Sequence, residues 1–373
     1  LIVVIIILPL SAVYHKIGGF DTPGSALSVF VSNNIAYVAD EGSGLQIINV
    51  SNTQNPFLLG SYDTPGYAYS VFVSNNIAYV IDGSSGLQII DVSNPQNPFL
   101  LCSYDTPGYA YSVFVSNNIA YVVDDWAGLQ IIDVSNPQNP ALLGSYDTPG
   151  WALSVFVSNN IAYVADEESG LQIIDVSNPQ NPALVGSYDT PNLANFVTVS
   201  NNIAYVADYY AGLQIVDISN PQNPALWGSY DTPGNAKSVT IFNNIAYIAD
   251  GGSGLQIIDV SNSQNPALIG SYDTPDFAYS VFVSNNIAYI ADYYAGLQII
   301  DVSNPQNPTL LSFYYTLGCP YSVTVSNNIA YVAGGWAGLQ IIDVTNPQNP
   351  FILGSYHTPY YAYSVLFQII LPM

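Results

Sequence analysis

The chain repeats one 42-residue unit along nearly its whole length. The pentapeptide Asn-Asn-Ile-Ala-Tyr begins at Asn33 and recurs seven times at intervals of 42 residues, without insertion or deletion. The later copies begin at Asn75, Asn117, Asn159, Asn201, Asn243, Asn285 and Asn327. Eight units account for 336 of the 373 residues. A fixed period of this length is typical of architectures in which each unit buries its apolar surface against its neighbours.

Each unit predicts four short strands. In the second unit they cover residues 69–73, 77–82, 87–93 and 99–105. Asn75-Asn76 suits a two-residue hairpin turn because Asn tolerates a positive φ. The Asn-Pro-Gln-Asn-Pro segment interrupts the ladder, since proline donates no backbone hydrogen bond. The first strand is apolar on both faces, so we expect it to be buried on both. No sustained 3.6-residue apolar period is present, and no helix is expected.

Four strands in each 42-residue unit predict one blade of a β-propeller. The sequence therefore predicts an all-β fold, with a single propeller domain over residues 17–367 that eight blades close most simply. A β-helix is the competing architecture, but its coils are usually shorter. The first-strand motif occurs nine times, which leaves residues 17–22 and 363–367 as surplus strands. A composite ninth blade built from the two termini is the alternative closure.

The two ends of the chain do not follow the repeat. Residues 1–13 carry no charged side chain, and we interpret residues 1–16 as an apolar leader, the remnant of a signal peptide or membrane anchor. One more buried strand is the alternative interpretation. The stretch is too short to span a bilayer as it stands. Residues 368–373 form a non-repeat tail.

The unit is similar to the LVIVD repeat. The resemblance rests on Ala-Tyr-Val-Ala-Asp (204–208), Gly-Leu-Gln-Ile-Val-Asp (212–217) and Asn-Pro-Gln-Asn-Pro (220–224), and it covers about residues 17–367. It implies a β-propeller at a bacterial or archaeal cell surface, so we expect an exported protein that is extracellular or held at the surface. It brings no catalytic residues with it.

The charge balance excludes two classes of partner. The chain has two lysines, Lys16 and Lys237, no arginine, and a formal net charge of −24. A protein that binds nucleic acid needs cations to displace the counterions of the phosphates, and anionic membrane surfaces make the same demand. We therefore expect neither partner. Cys102 and Cys319 are not expected to pair.

Aspartates recur at three positions of the unit, which hold 21 of the 26 acidic residues. Position one ends the second strand (Asp40, Asp82, Asp124, Asp166, Asp208, Asp250, Asp292), position two ends the third strand (Asp91, Asp133, Asp175, Asp217, Asp259, Asp301, Asp343), and position three begins Asp-Thr-Pro (Asp21, Asp63, Asp105, Asp147, Asp189, Asp231, Asp273). The favoured interpretation is structural, with each Asp accepting hydrogen bonds from backbone N–H groups two or three residues on. Calcium is the alternative, because carboxylates suit a hard cation. No other cofactor is expected.

Two connections vary between units, whereas the Asn-Asn turn and the Asn-Pro-Gln-Asn-Pro segment barely change. They join the second strand to the third ("EGSG" to "GWAG") and follow Asp-Thr-Pro ("GSAL" to "YYAY"). In an up-and-down blade both emerge on one face, so we predict a ligand-binding face there. Its aromatic residues are Trp126, Trp151, Trp336, Tyr67, Tyr109, Tyr209, Tyr210, Tyr293, Tyr294 and Phe277, with the acids Asp125, Glu167, Glu168 and Asp276. Drift of unconstrained loops is the competing explanation.

The sequence favours a non-catalytic binding or scaffold module. Tyr and Trp give large contact area and keep a polar group, which suits protein or glycan partners. A purely structural spacer is the first alternative. A carbohydrate-active enzyme using Asp125, Glu167 and Glu168 is the second, since such enzymes need only two carboxylates. The usual catalytic motifs are absent, and the two histidines, His15 and His357, do not suggest a shared site.

Overall fold

Eight antiparallel sheets of four strands each form a ring. The structure is a computed structural model that describes residues 28–51, 57–316, 318–334 and 339–355, and all thirty-two strands lie in this part of the chain. In every sheet the strand order follows the chain order, so each sheet is one blade made from one repeat. The first strand of each blade contacts the first strand of the next, which places first strands at the centre and fourth strands at the rim. The chain is an eight-bladed β-propeller, as the sequence predicts.

The strands of the first four blades have the following bounds. Blade 1 contains β1 (Ser28–Ser32), β2 (Ile35–Ala39), β3 (Leu45–Asn49) and β4 (Phe57–Tyr62). Blade 2 contains β5 (Ser70–Ser74), β6 (Ile77–Ile81), β7 (Leu87–Asp91) and β8 (Phe99–Tyr104). Blade 3 contains β9 (Ala110–Ser116), β10 (Ile119–Asp124), β11 (Gly128–Asp133) and β12 (Ala141–Tyr146), with a 3-10 turn at Asp125–Ala127. Blade 4 contains β13 (Ser154–Ser158), β14 (Ile161–Ala165), β15 (Leu171–Asp175) and β16 (Ala183–Tyr188).

The last four blades repeat the pattern. Blade 5 contains β17 (Phe196–Ser200), β18 (Ile203–Ala207), β19 (Leu213–Asp217) and β20 (Ala225–Tyr230). Blade 6 contains β21 (Ser238–Phe242), β22 (Ile245–Ala249), β23 (Leu255–Asp259) and β24 (Ala267–Tyr272). Blade 7 contains β25 (Ala278–Ser284), β26 (Ile287–Asp292), β27 (Gly296–Asp301) and β28 (Thr309–Tyr314). Blade 8 contains β29 (Ser322–Ser326), β30 (Ile329–Ala333), β31 (Leu339–Asp343) and β32 (Phe351–Ser355).

Blade 8 packs directly against blade 1. One buried cluster joins Tyr331, Ala333, Leu339 and Ile341 of blade 8 to Ala36, Val38, Ile48 and Val50 of blade 1. This contact closes the ring and leaves no place between the two blades for a composite ninth blade. The surplus segments 17–22 and 363–367, the leader (residues 1–16) and the tail (residues 368–373) lie outside the described residues.

Neighbouring blades pack with large side chains on one face and small side chains on the other. Blade 4 presents large side chains, including Tyr163, Leu171 and Ile173, and blade 5 presents smaller ones, including Ala204 and Val206. All five are at most 7 % exposed. Large groups set into small ones fill the space between twisted sheets without voids. The second-strand tyrosines belong to the core, since Tyr37, Tyr79 and Tyr163 are at most 7 % exposed.

The turns at the end of each hairpin form as the sequence predicts. Asn75 and Asn76 have φ values of 51° and 62°, a conformation that Asn tolerates and that matches the twist of the flanking strands. The prediction for the first strands holds only in part. Val71 is fully buried, but Val155 and Phe156 of β13 are only half-buried. Innermost strands have a neighbour on each face and none beyond their inner edge, so full burial does not follow from an apolar sequence.

The outermost strand of each blade is bulged and lies against the next blade. In blade 3 the pairing of β11 with β12 shifts register between Ile131 and Ile132, and the other seven blades shift at the equivalent place. A Cβ on Gly144 would lie 2.5 Å from the carbonyl oxygen of Pro179 in the next blade. The glycine therefore permits a close backbone approach. Cys102 occupies this position in blade 2, and no disulfide joins it to Cys319.

The aspartate that ends the second strand anchors the connection that enters its own blade. Asp208 accepts a hydrogen bond from the Thr190 hydroxyl (2.7 Å) and another from the Asn192 backbone N–H (3.0 Å). Both donors precede Asp208 by 16 to 18 residues, so the expected bond to an N–H two or three residues on is wrong at this position. It is correct at the end of the third strand, where Asp175 accepts from the Ser177 backbone N–H at 2.8 Å.

Burial raises the pKa of these anchoring aspartates. The carboxyl groups of Asp166, Asp208 and Asp250 have no exposed surface, and burial raises their pKa to about 6 despite the hydrogen bonds that favour ionisation. In blade 7 burial, with the nearby Asp276 carboxylate, raises the pKa of Asp292 to about 7. There Thr274 donates to the Asp276 carbonyl oxygen at 3.2 Å. Each group therefore binds protons more tightly in the folded protein than in the unfolded chain.

The first prediction concerns the pH dependence of stability. A folded-state pKa raised to 6 or 7 gives stability that is complete below pH 4 and lost as the pH rises through that pKa. The melting temperature should therefore be higher at pH 5 than at pH 8. Asp208→Asn should reduce this difference. It should also cost about 1–3 kcal/mol at both pH values, because the amide has one acceptor oxygen for two donors, the Thr190 hydroxyl and the Asn192 N–H, and presents its NH2 group to the other.

The matched control is Asp175→Asn, in an exposed turn of blade 4. Hydrogen bonds from Ser177 lower the pKa of Asp175, so its linked stability disappears only on acidification below its ordinary range. The difference between pH 5 and pH 8 should be unchanged in this variant. If the melting temperature of Asp208→Asn changed between pH 5 and pH 8 as much as that of the parent protein, the assignment of this pH dependence to Asp208 would be contradicted.

The second prediction compares two glycines in equivalent loops. Gly86 has a φ of +66°, and a Cβ there would lie 2.3 Å from the Tyr104 carbonyl oxygen. Gly42 lies in the corresponding loop of blade 1, where a Cβ would lie 3.5 Å from the Tyr67 ring. Gly86→Ala should lower the free energy of unfolding by more than about 1 kcal/mol, whereas Gly42→Ala should change it by less than about 0.5 kcal/mol. Denaturant unfolding of the two variants measures both, and equal effects would contradict the strain at Gly86.

Candidate functional site

The two variable connections lie together on one end of the ring. The backbone N–H of Ala68, in the connection from blade 1 to blade 2, donates to the Glu41 carbonyl oxygen at 2.9 Å. Ala194 donates in the same way to Glu167 at 2.9 Å. We call this end the variable face; it comprises the loops between second and third strands and the connections between blades. Ala68 and Ala194 are also fully buried, which explains why "Ala" persists in the turn of every connection between blades except the one into blade 8, where Pro320 replaces it.

The predicted aromatic residues divide into an exposed group and a shielded group. The exposed fractions are 54 % for Tyr67, 59 % for Trp126, 57 % for Trp151, 61 % for Tyr210, 64 % for Tyr294 and 46 % for Phe277. Tyr109, Tyr209 and Tyr293 lie on the same face and are half-buried. Trp336 lies outside the described residues. The predicted face therefore exists as a surface, with large aromatic groups that no other part of the described chain covers.

Part of the variation between loops is compensation in packing. Where one of the first two residues of the second-to-third loop is glycine, an aromatic ring of the following connection lies over it. A Cβ on Gly83 would lie 2.8 Å from the ring of Tyr109, and one on Gly252 would lie 3.7 Å from the ring of Phe277. The two connections of a blade therefore vary together.

The reverse arrangement occurs in blades 5 and 7. There the loop supplies a pair of stacked tyrosines, with ring centroids 4.2 Å apart for Tyr209 and Tyr210 and 4.4 Å apart for Tyr293 and Tyr294. The facing connection then carries a small residue, Asn235 or Cys319. Loop drift alone does not produce this complementarity, and neither does ligand binding. Part of the variation between loops therefore reflects packing between the loop and the facing connection, which comparison of the repeats in the sequence did not reveal.

A cluster of three tyrosines lies beside the connection into blade 3. The ring centroids of Tyr69, Tyr109 and Tyr111 are 5.4 to 6.0 Å apart, and the Tyr109 hydroxyl donates to that of Tyr69 at 2.8 Å. Burial, with nearby carboxylates, raises the pKa of Tyr109 and of Tyr111. Sequence analysis missed Tyr69 and Tyr111. Their signal was the last position of the variable turn, in "GYAY", immediately before the first strand.

Carboxylates surround this three-tyrosine cluster. Asp125 and Glu167 influence the ionisation of Tyr111, and Glu41 influences that of Tyr109. Burial and the charges of Glu168 and Asp125 raise the pKa of Glu167. Two oxygen atoms, Oδ1 of Asp125 and Oε2 of Glu41, are shielded from solvent and have no hydrogen-bond partner within the described residues. This side of the face is therefore strongly acidic.

The other side of the face holds a lysine among tyrosines. The Lys237 ammonium lies 4.2 Å from the ring centroid of Tyr209 and 6.0 Å from that of Tyr279. Burial lowers the pKa of Lys237. Such an ammonium is held by the negative faces of the aromatic rings. Lys237 occupies the same repeat position as Tyr69 and Tyr111 and was not among the predicted site residues.

Neither a metal cluster nor a deep cleft is evident in the described ranges. They contain no group of three or more His, Cys, Asp or Glu side chains close enough to hold a metal ion. The pocket beside Phe277 and Asp276 is shallow and open to solvent. Across the same part of the chain, no helix is long and apolar enough to cross a membrane. The geometry suits contact with an extended surface better than enclosure of a small molecule.

Solved propellers share this fold at low sequence identity. The computationally designed Ika8 protein superposes with a TM-score of 0.73 at 12 % identity, covering 87 % of this chain and 98 % of that one. Sqt1 of Chaetomium thermophilum, bound to the N-terminus of ribosomal protein L10, gives 0.70 at 13 % identity, covering 86 % and 97 %. BamB of Moraxella catarrhalis gives 0.66 at 13 % identity, covering 83 % and 91 %. No curated protein matches the chain.

The family model of the LVIVD repeat matches the chain eight times. The matches cover residues 23–64, 65–106, 107–148, 149–190, 193–232, 233–274, 277–316 and 318–358. They follow the 42-residue period and the eight blades, so the resemblance seen in the repeat unit is confirmed. The chain belongs to the LVIVD-repeat family.

Proposed function

We propose that this propeller is a non-catalytic binding or scaffold module, exported to the cell surface, that recognises protein or glycan through its variable face. The observation that carries the proposal is the distribution of exposed aromatic groups. At the rim, exposed apolar side chains such as Leu142 and Leu184 recur unchanged at one repeat position. On the variable face, Trp126 and Tyr294 share a repeat position that is Gly42, Ser84 or Glu168 in other blades, and Trp151 stands at another variable position. That pattern suits recognition of an asymmetric partner.

Three features support the proposal. Large, rigid aromatic groups supply contact area at low entropic cost and are enriched at binding hot spots. In blades 2, 4, 5 and 6 the aspartate that ends the second strand, such as Asp208, accepts hydrogen bonds from the threonine hydroxyl and a backbone N–H of the connection into its blade, so the groups that this connection presents are held in place before a partner arrives. Among proteins of similar fold, Sqt1 is bound to a segment of another protein, which is a precedent for partner binding on this scaffold. The surface location is supported by membership of the LVIVD-repeat family.

The third prediction tests the variable face directly. The triple substitution Trp126→Ala, Trp151→Ala and Tyr294→Ala should weaken binding to surface proteins or glycans by at least about tenfold, because truncating each anchor costs about 1–2 kcal/mol. The melting temperature should change little, since all three side chains are more than half exposed. Binding is measured against a glycan array and a panel of purified surface proteins.

The matched control removes three exposed aromatic residues from the rim. Phe57→Ala, Phe99→Ala and Trp227→Ala delete comparable surface from outer strands, away from the variable face. Their binding should equal that of the parent protein. Equal losses in both triple variants would argue against a site on the variable face. Absence of binding to either class of partner would favour the purely structural spacer.

The enzyme alternative is tested on the same face. The Asp125 carboxylate lies close enough to Glu167 to help burial and Glu168 raise the pKa of Glu167, which is the feature that favours this second candidate. A carbohydrate-active enzyme would release reducing ends from polysaccharides, and Asp125→Asn with Glu167→Gln would abolish that release. We expect no release by the parent protein. Turnover that disappears in the double variant would replace the binding proposal by catalysis.

A further inference from the structure

The acidic side of the variable face combines two features that both attract cations. Tyr69, Tyr109 and Tyr111 bring three ring systems within 6.0 Å of one another. Each ring presents a negative face, which attracts an ammonium or guanidinium group placed over it. All three rings are half-buried, so a cation there would also be partly desolvated, which strengthens the attraction.

No lysine or arginine of the described residues pairs with the carboxylates near these rings. Asp125 and Glu167 act on Tyr111, and Glu41 acts on Tyr109. Residues 17–236 contain no Lys or Arg. The shielded oxygens of Asp125 and Glu41 have no hydrogen-bond partner in the described ranges. A buried carboxylate oxygen without a donor is costly, so a donor supplied from outside would be favoured.

Blade 6 shows what this architecture does when a cation is available. Lys237 stands at the repeat position of Tyr111, and its ammonium lies over the Tyr209 ring at 4.2 Å from the centroid. Tyr279 contributes a second ring at 6.0 Å. The chain therefore already places an ammonium among tyrosines at one point of the variable face. Between blades 2 and 4 the rings and the carboxylates are present, and the described residues supply no ammonium or guanidinium group there.

We propose that the Tyr69–Tyr109–Tyr111 cluster, with Glu41, Asp125 and Glu167, binds a lysine or arginine side chain from an extended basic segment of a partner protein. The proposal rests on the proposed function and specifies its partner. The net charge of −24 would draw such a segment toward the propeller, and the rings and carboxylates would fix one of its cationic groups. A neutral glycan would leave the carboxylates without a partner, so the chemistry of this cluster favours a basic protein segment.

The experiment uses the whole chain and a fluorescent tetralysine peptide, with tetraglutamate as the negative probe. Tetralysine should bind, and tetraglutamate should not. Asp125→Asn with Glu167→Gln should weaken tetralysine binding at least about tenfold, because the carboxylates beside the rings lose their charge. The matched control is Asp147→Asn with Asp189→Asn, which removes two exposed charges from connections of the same face. Its effect should stay below about twofold at physiological salt.

A second pair of variants tests the rings. Tyr111→Leu should weaken binding several-fold, whereas Tyr111→Phe, which keeps the aromatic face, should retain it. Circular dichroism and the melting temperature identify any variant that fails to fold.

Equal losses in the two acidic double variants would reduce the effect to diffuse charge attraction and overturn the inference. Failure of tetralysine to bind would also overturn it. In either case, loss of partner binding in the Trp126, Trp151 and Tyr294 variant would still support the proposed function. Failure of the inference about the tyrosine cluster can therefore be distinguished from failure of the proposed function.

Discussion

The ring depends on the contact between neighbouring blades, in which large side chains of one blade pack against small side chains of the next. Each blade sets a tyrosine, a leucine and an isoleucine against alanines and valines of the next, as Tyr163 and Leu171 do against Ala204 and Val206. Because the same contact joins blade 8 to blade 1, closure needs no exchanged strand within the described chain. A fold of this kind gains stability from nearest-neighbour interfaces, and near-identical repeats make all of them equivalent. The pattern of large and small core residues must therefore remain constant, and it does.

The buried Asp–Thr hydrogen bond lets the variable face change without moving the blades. Asp208 fixes the connection from inside through Thr190 and Asn192, and Ala236 fixes the next connection through the Tyr209 carbonyl oxygen. The side chains between these anchors point away from the core and are constrained only by each other. This constraint is visible in the exchange of aromatic rings between the loop and the connection. The face is therefore a set of paired positions, and substitution of one member should be read together with its partner.

Sequence reasoning reached the fold because its signals were local and repeated. The turn at Asn75-Asn76, the Asn-Pro-Gln-Asn-Pro segment and the period fix strand number and order. It failed where the interaction joins distant residues. The carboxylate of Asp208 bonds to a donor 18 residues earlier, and no spacing rule for turns suggests this. The Tyr69–Tyr109–Tyr111 cluster was missed for the same reason, since two of its members come from different repeats. The face itself was predictable, but its division into an acidic side and a lysine side was not.

The rim raises a problem of association that the charge of the chain helps to solve. Outer strands expose apolar groups such as Leu142, Leu184 and Leu226, with no lysine among them, and edges of this kind tend to pair with other chains. The register shift in every outer strand interrupts the regular ladder that such pairing needs. A net charge of −24 adds repulsion between copies. The same negative charge that repels other copies of the chain would attract the basic partner segment that we propose.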